Sequence, residues 1–303
     1  MLIWLVLIPL IAAALIGLCK APARPTALLS ASLTLALGIW ALVSFDGCSS
    51  CWSRFEGMDL QLTLAPALSK VMLLLTILVT FATVLGTNPP QGGEASWYNS
   101  ALLISAGATG AFLSDNIISF FAFHELALIP TFVMIGLYGR GDRRTTAWRA
   151  TLYLGLASMV LLAALLMIGT QAGFTFSGLK DFMASGRELA HAELIGALLI
   201  AGFGTLISLF PFHSWAAPAY ASAPAPVAMM HAGVLKKFGL YGLFMFQPLM
   251  ETGFLPWTNI LLVLLVCNVI WVGYVTVNQK RLDLLLGNSS VCLLYTSDAA
   301  DDK

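Results

Sequence analysis

The sequence predicts an all-α, polytopic membrane protein, and three observations carry that prediction. Of its 303 residues, 59% are hydrophobic and only 10% are charged. Mean hydropathy is +0.87. A soluble globular chain carries about 25% charged residues, so lipid must solvate most of this surface. Apolar stretches of spanning length also recur along the chain, separated by Pro- and Gly-rich segments such as APARP, TNPPQGGE and GRGD. The net charge of zero argues against a nucleic-acid partner.

A span needs roughly 20 apolar residues. On that basis spans are expected near 1–19, 26–45, 64–86, 97–113, 116–138, 147–169, 193–215, 223–246 and 254–276. That gives about nine complete transmembrane helices, with a tenth beginning near Leu284. The first, Met1 to Cys19, has no basic start and no small-residue cleavage site followed by a soluble domain, so it reads as a retained helix. In the third, Lys70 lies near one end, where it can snorkel and take a structural role. The fifth contains His124, Glu125 and Pro130. The seventh ends in SLFPFHSWAAPAYASAPAP, whose Pro211 falls inside the apolar stretch. Interrupted helices at membrane depth are tolerated where they line a cavity or are buried in protein.

The two longest connections, around 46–63 and 170–192, are short and mixed in composition, and the second can hold a brief amphipathic turn. With the amino terminus outside, the inner loops hold Lys20, Arg24, Arg140, Arg143, Arg144, Arg149, Lys280 and Arg281. The outer loops hold only Arg54, Lys180 and Arg187, so the positive-inside rule favours an external amino terminus. No phosphate-cradling Gly loop and no zinc-type or iron–sulfur cysteine cluster occurs, so the chain is not expected to move electrons itself. Cys48 and Cys51 share one outer loop. They read either as a disulfide on an oxidising side of the membrane or as two ordinary loop thiols.

The candidate functional residues are ionisable groups placed where lipid disfavours them. A charge at the bilayer centre costs at least ~2.5–3.5 kcal/mol on insertion scales, so it usually faces a partner, a cavity or an ion path. Glu125 lies near the middle of SFFAFHELALIPTFVMIGLY, and Lys237 near the middle of PVAMMHAGVLKKFGLYGLFMF. Apolar surroundings disfavour the charged form of either group, so each can exchange a proton when a counter-charge approaches. That is the behaviour of a proton-loading site; the bland reading is a static ion pair between two helices. Pro130, five residues after Glu125, removes a backbone hydrogen bond and can bend the span or free a carbonyl for water.

On an ideal α-helix successive residues point about 100° apart, so Lys236 and Lys237 cannot face one axis. Lys237 stacks with Gly233 and Tyr241, while Lys236 is expected to point elsewhere, toward another cavity, lipid headgroups or a neighbouring subunit. His231 falls about 120° around the helix from Lys237 and is either a proton relay or a packed, hydrogen-bonded histidine.

Four segments bear a family resemblance: F-H-E-L-A-L-I-P at 123–130, P-F-H-S-W at 211–215, S-A-P-A-P-V at 222–227, and A-G-V-L-K-K-F-G-L-Y-G at 232–242. Together they resemble the antiporter-like proton-pumping subunits of respiratory complex I, NADH:quinone oxidoreductase, most of all its M chain, chain 4 in mitochondria. Mrp-type cation/proton antiporter subunits and membrane-hydrogenase subunits share most of these motifs. The similarity runs from about residue 60 to Val291.

The resemblance implies a fourteen-helix fold with inverted repeats and a broken seventh helix. Residues 1–291 would then form a single transmembrane domain, with N-terminal helices over 1–96, a first antiporter-like repeat over 97–246 and the start of a second over 254–291. It implies a proton path through Glu125, Lys237, Lys236 and His231. No cofactor is expected in this chain; NAD, FMN, iron–sulfur clusters and quinone belong to partner subunits. The expected partners are other membrane subunits, especially neighbouring antiporter-like ones, and the lipid of a bacterial inner membrane.

Three departures from the family pattern bear on function. The seventh-helix lysine should fall near Leu206, yet no lysine or arginine occurs between 188 and 235. His231 sits where the related L chain, more than the M chain, often has a histidine. Beyond N-S-S-V the acidic stretch to Lys303 resembles translated adapter sequence, so 292–303 is expected to be a non-native tail on a C-terminally truncated chain. Three readings follow: a proton-translocating subunit of complex I, a subunit of an Mrp antiporter or membrane-bound hydrogenase, or a structural membrane subunit that does not conduct.

Overall fold

The computed structural model describes residues 1–44, 48–52, 60–90, 92–247, 249 and 255–292. The expected tail therefore lies, from residue 293 on, outside the described residues, as do the side chains of Cys48 and Cys51. The helices are α1 (Ile3–Gly17), α2 (Ala23–Ser44), α3 (Ala67–Gly86), α4 (Glu94–Leu113), α5 (Ile117–Tyr138), α6 (Arg143–Ala172), α7 (Phe176–Ala184) and α8 (Ala192–Leu206). They continue with α9 (Ala216–Ser222), α10 (Ala225–Met230), α11 (Lys237–Met245), α12 (Leu255–Val277) and α13 (Leu282–Cys292). Ala23–Ser44, Ala67–Gly86, Ile117–Tyr138, Arg143–Ala172 and Asn259–Val277 are long and apolar enough to cross a membrane, and α1 and α8 are shorter apolar helices. Large side chains such as Leu33 and Trp40 on α2, Leu152 and Leu156 on α6 and Ile270 and Trp271 on α12 are exposed, as lipid-facing surfaces require.

A small element absent from the sequence expectation lies in the first long connection. Strands β1 (Cys48–Trp52) and β2 (Leu60–Thr63) pair antiparallel, with an irregularity between Ser49 and Cys51. The free edge of β2 holds the α4–α5 link: the Asp115 amide donates to the Gln61 carbonyl at 2.9 Å. On the other side of that link, the Ile117 amide donates to the Phe174 carbonyl and the Phe176 amide to the Asp115 carbonyl, each at 2.8 Å. Ser177 Oγ donates to Asp115 Oδ2 at 2.7 Å. Asn116 then caps α5, its Oδ1 accepting from the amides of Ile118 and Ser119 at 2.9 and 3.0 Å.

The chain clusters into two compact units. The first comprises Met1–Met134, Phe174–Leu179 and Ala225–Phe238; the second comprises Ile135–Gly173, Lys180–Pro224 and Gly239–Lys303. In the first unit α4 is buried on all sides from Trp97 to Leu113, which its run of Ala, Ser, Gly and Thr permits. Small residues let helix backbones approach where lipid supplies no hydrophobic drive. A methyl group at Gly107 would lie 2.6 Å from both the Ala127 amide nitrogen and the Phe123 carbonyl oxygen, so α4 and α5 touch backbone to backbone there. Leu2, Leu5, Ala41, Leu62, Leu64, Leu73, Ile77 and Leu113 form a buried core in this unit.

In the second unit α6 packs on α8 and α9, and α13 packs on α9 and α12. Asp142 opens α6, its carboxylate accepting from the Thr145 amide at 3.3 Å. The amphipathic turn expected within 170–192 takes the form of α7, after which Arg187 stacks over the Phe182 ring at 4.5 Å.

The seventh span is not one helix. α8 stops at Leu206, Ser208 takes a left-handed φ of 62°, and the Phe210–Pro211 bond is cis. A 3-10 turn at Phe212–Trp215 and α9 then complete the crossing. The broken backbone finds its partners in side chains: Trp215 Nε1 donates to the Thr205 carbonyl and the Phe210 amide donates to Asn268 Oδ1, each at 3.0 Å. Asn268 is fully buried on α12. Asn268→Leu strands the Phe210 amide, and a buried donor left unsatisfied costs about 1–3 kcal/mol. The expected result is a lower thermal denaturation midpoint of the purified protein in detergent; an unchanged midpoint would show that the acceptor is dispensable.

Candidate functional site

All four sequence-selected residues fall in the first unit, on two helices that meet through aromatic rings. α5 presents the acid. Its backbone stays helical through Pro130, whose missing amide leaves the Leu126 carbonyl without its usual partner. One turn along, Thr131 Oγ1 donates to the Ala127 carbonyl at 3.2 Å. The Glu125 side chain is 27% exposed, whereas its neighbour His124 is 1% exposed. His124 Nδ1 lies 3.2 Å from Glu125 Oε1, within ion-pair reach.

The second helix begins as α10, passes through a π-helical turn at His231–Leu235 and continues as α11. The Lys236 amide donates to the His231 carbonyl at 3.0 Å, a bond between residues five apart. In a regular α-helix such residues point about 140° apart; in the π turn they stack. His231 and Lys236 thus share one buried face, 4% and 1% exposed respectively.

This corrects the helical-wheel expectation, in which Lys236 points away and Lys237 takes the interior position. Lys236 is the fully buried lysine, and Lys237 is half-buried. The sequence offered no signal for the extra residue in the turn. Single π turns occur frequently at functional sites. Gly233, inside the turn, faces α3, where a methyl group would come within 3.2 Å of Val79.

Phe238 joins the two helices. Its ring is T-shaped to the His124 imidazole at 5.1 Å between centroids and lies tilted on Phe112 of α4 at 4.8 Å. The residue after the glutamate's histidine and the residue before this phenylalanine are therefore the two principal ionisable candidates, Glu125 and Lys237. Leu206, where the resemblance places a further lysine, is buried at the end of α8 in the second unit. Among the described residues no group of three or more His, Cys, Asp or Glu side chains is arranged to hold a metal. Chemically the site offers a carboxylate, two imidazoles and two amines in apolar surroundings, a set suited to moving protons. Sequence reasoning missed Phe238 as the link and Asn268 as the support of the broken helix; a lone Asn in an apolar span was the available signal for the second.

Residues 114–294 match the family model described as NADH:quinone oxidoreductase/Mrp antiporter, TM. The chain is 32% identical over 231 residues to an NAD(P)H-quinone oxidoreductase chain 4 of Microcystis aeruginosa, covering 74% of this chain and 41% of that one. It is 30% identical over 247 residues to a chain 4 of Picosynechococcus sp., covering 79% and 45%. The chain thus spans less than half the length of these relatives. Among solved structures, a chain of respiratory complex I from Thermus thermophilus with bound NADH superposes with a TM-score of 0.84 at 25% identity, over 96% of this chain and 62% of that one. A chain of the Mrp complex from Dietzia sp. shares the fold, with a TM-score of 0.81 at 23% identity over 96% and 33%. With the glutamate and lysine helices inside the matched region, the chain belongs to the NADH:quinone oxidoreductase/Mrp antiporter transmembrane family.

Proposed function

We propose that this chain is the proton-translocating, non-redox membrane subunit of a bacterial NADH:quinone oxidoreductase, with its amino terminus on the outer side of the inner membrane. Electron transfer through NAD, FMN, iron–sulfur clusters and quinone takes place in partner subunits, and neighbouring antiporter-like subunits flank this one. Protons pass through Glu125, His231, Lys236 and Lys237, all within the repeat expected over 97–246. One observation carries the reading: Phe238 packs the lysine helix against the glutamate helix, at a π turn that buries Lys236 and His231 together. A lysine that is 1% exposed in a membrane chain is costly unless it has work to do.

The test is Lys236→Met beside Lys237→Met in the assembled complex, reconstituted into proteoliposomes. Lys236→Met is expected to lower the proton-to-electron ratio more than Lys237→Met does. An unchanged ratio in both variants would remove the lysines from the path. The buried Leu206 favours a second reading, a structural subunit that does not conduct. Glu125→Gln separates the two, since the structural role leaves the ratio untouched. Genes adjacent to this one distinguish a quinone-reducing complex from an Mrp antiporter or a hydrogenase.

A further inference from the structure

His124 is buried without a hydrogen-bonding role that explains it. Its ring is 1% exposed, and among the described residues Nε2 has no hydrogen-bond partner. Nδ1 lies 3.2 Å from Glu125 Oε1 without forming a hydrogen bond, a separation that a small side-chain turn brings into proton-transfer geometry. A histidine kept only for packing is normally satisfied by a hydrogen bond. This one instead has one nitrogen against an acid and the other, on the opposite edge of the ring, with no described partner. Two aromatic rings lie beside the imidazole: Phe238, T-shaped to it at 5.1 Å, and Phe121, tilted at 6.3 Å between centroids.

We propose that His124 is a proton-transfer partner of Glu125, holding the proton that the carboxyl gives up and supplying the positive charge beside the carboxylate so formed. The inference rests on Glu125 acting as a proton-loading group. In the step, Nδ1 of the neutral ring, protonated on Nε2, accepts the proton of the Glu125 carboxylic acid. A carboxylate and an imidazolium result, a compensated pair where either charge alone would be disfavoured. The imidazolium then releases its Nε2 proton to water. The ring left behind is neutral, with its proton on Nδ1; loss of that proton to water and uptake of one at Nε2 restore the starting tautomer, so each cycle passes one proton from Glu125 to water. The ionisable groups on the elements packed against the ring are Glu125 on α5 itself and His231, Lys236 and Lys237 around the π turn; α4 carries none between Asn99 and Leu113.

The test uses the intact complex in proteoliposomes, comparing His124→Asn, Glu125→Gln and the unmodified protein from about pH 5.5 to 8.5, the range in which a histidine changes charge. The expected result is that His124→Asn lowers proton translocation about tenfold and removes an inflection in its pH profile, while reduction of a soluble acceptor by the redox arm is unchanged. Unchanged translocation with an unchanged profile in His124→Asn overturns the proposal. If Glu125→Gln also leaves translocation intact, the wider functional reading fails with it; if Glu125→Gln alone abolishes translocation, only the histidine's role is lost. Should His124→Asn fail to assemble, infrared difference spectra of the complex with isotope-labelled histidine decide. An imidazolium band that changes in Glu125→Gln supports the exchange, and histidine bands insensitive to Glu125→Gln overturn it.

Discussion

Glu125→Gln in the assembled complex is expected to cut the proton flux carried by this chain by about two orders of magnitude, the scale of a positioned acid–base group. The substitution keeps the volume and polarity of the side chain and removes only its capacity to release a proton. Glutamine is nearly isosteric with glutamate and Glu125 is only partly buried, so the fold should survive. The measurement is the quench of a pH-sensitive dye in proteoliposomes, set against the rate at which the redox arm reduces a soluble acceptor. A lower proton-to-electron ratio with an intact redox arm is the expected outcome. A full ratio would assign the chain to the structural reading that the buried Leu206 favours.

Much of the architecture was legible because membrane physics leaves few options. Every backbone amide in lipid must be satisfied within its own segment, so apolar runs of spanning length become helices and Pro–Gly clusters become their ends. Glu125 and Lys237 stand out in such runs for the same reason. The phase of the lysine helix was not legible. A helical wheel assumes 3.6 residues per turn, and the π turn at His231–Leu235 adds a residue that the local sequence HAGVL does not announce. The error exchanged Lys236 for Lys237 at the buried position. The exact break in the seventh span was also hidden. Pro211 marks a disturbance, but α8 already ends at Leu206, and Trp215 and Asn268, far apart in sequence, supply partners to the Thr205 carbonyl and the Phe210 amide on either side of the break. The β1–β2 hairpin depends in the same way on the α4–α5 link beside it, through Asp115 and Gln61.

Gly107→Leu is expected to prevent the first unit from forming its native packing, the largest structural effect of a single substitution at the site. Even the first carbon of a side chain would lie 2.6 Å from the Ala127 amide nitrogen and the Phe123 carbonyl oxygen, and neither backbone atom can rotate away. Overpacking a tight contact typically costs about 1–3 kcal/mol, and more when nothing can yield. At Gly110, one turn along, an added carbon would fall 2.5 Å from the Phe123 ring, so α4 cannot tilt toward that side to relieve the strain. The only escape is to part the helices. Parting them withdraws Phe112 from Phe238, and the contact of Phe238 with His124 depends on the same approach. Gly107→Ala should therefore lower the denaturation midpoint in detergent, and Gly107→Leu should leave little folded protein to measure. Gly155 on α6, where an added carbon meets nothing within 4 Å, is the control. Gly155→Ala should be neutral or stabilising by up to about 1 kcal/mol through helix propensity. Equal midpoints for Gly107→Ala and Gly155→Ala would mean that α4 and α5 are not held backbone to backbone, and that His124 and Glu125 owe their placement to something other than this glycine.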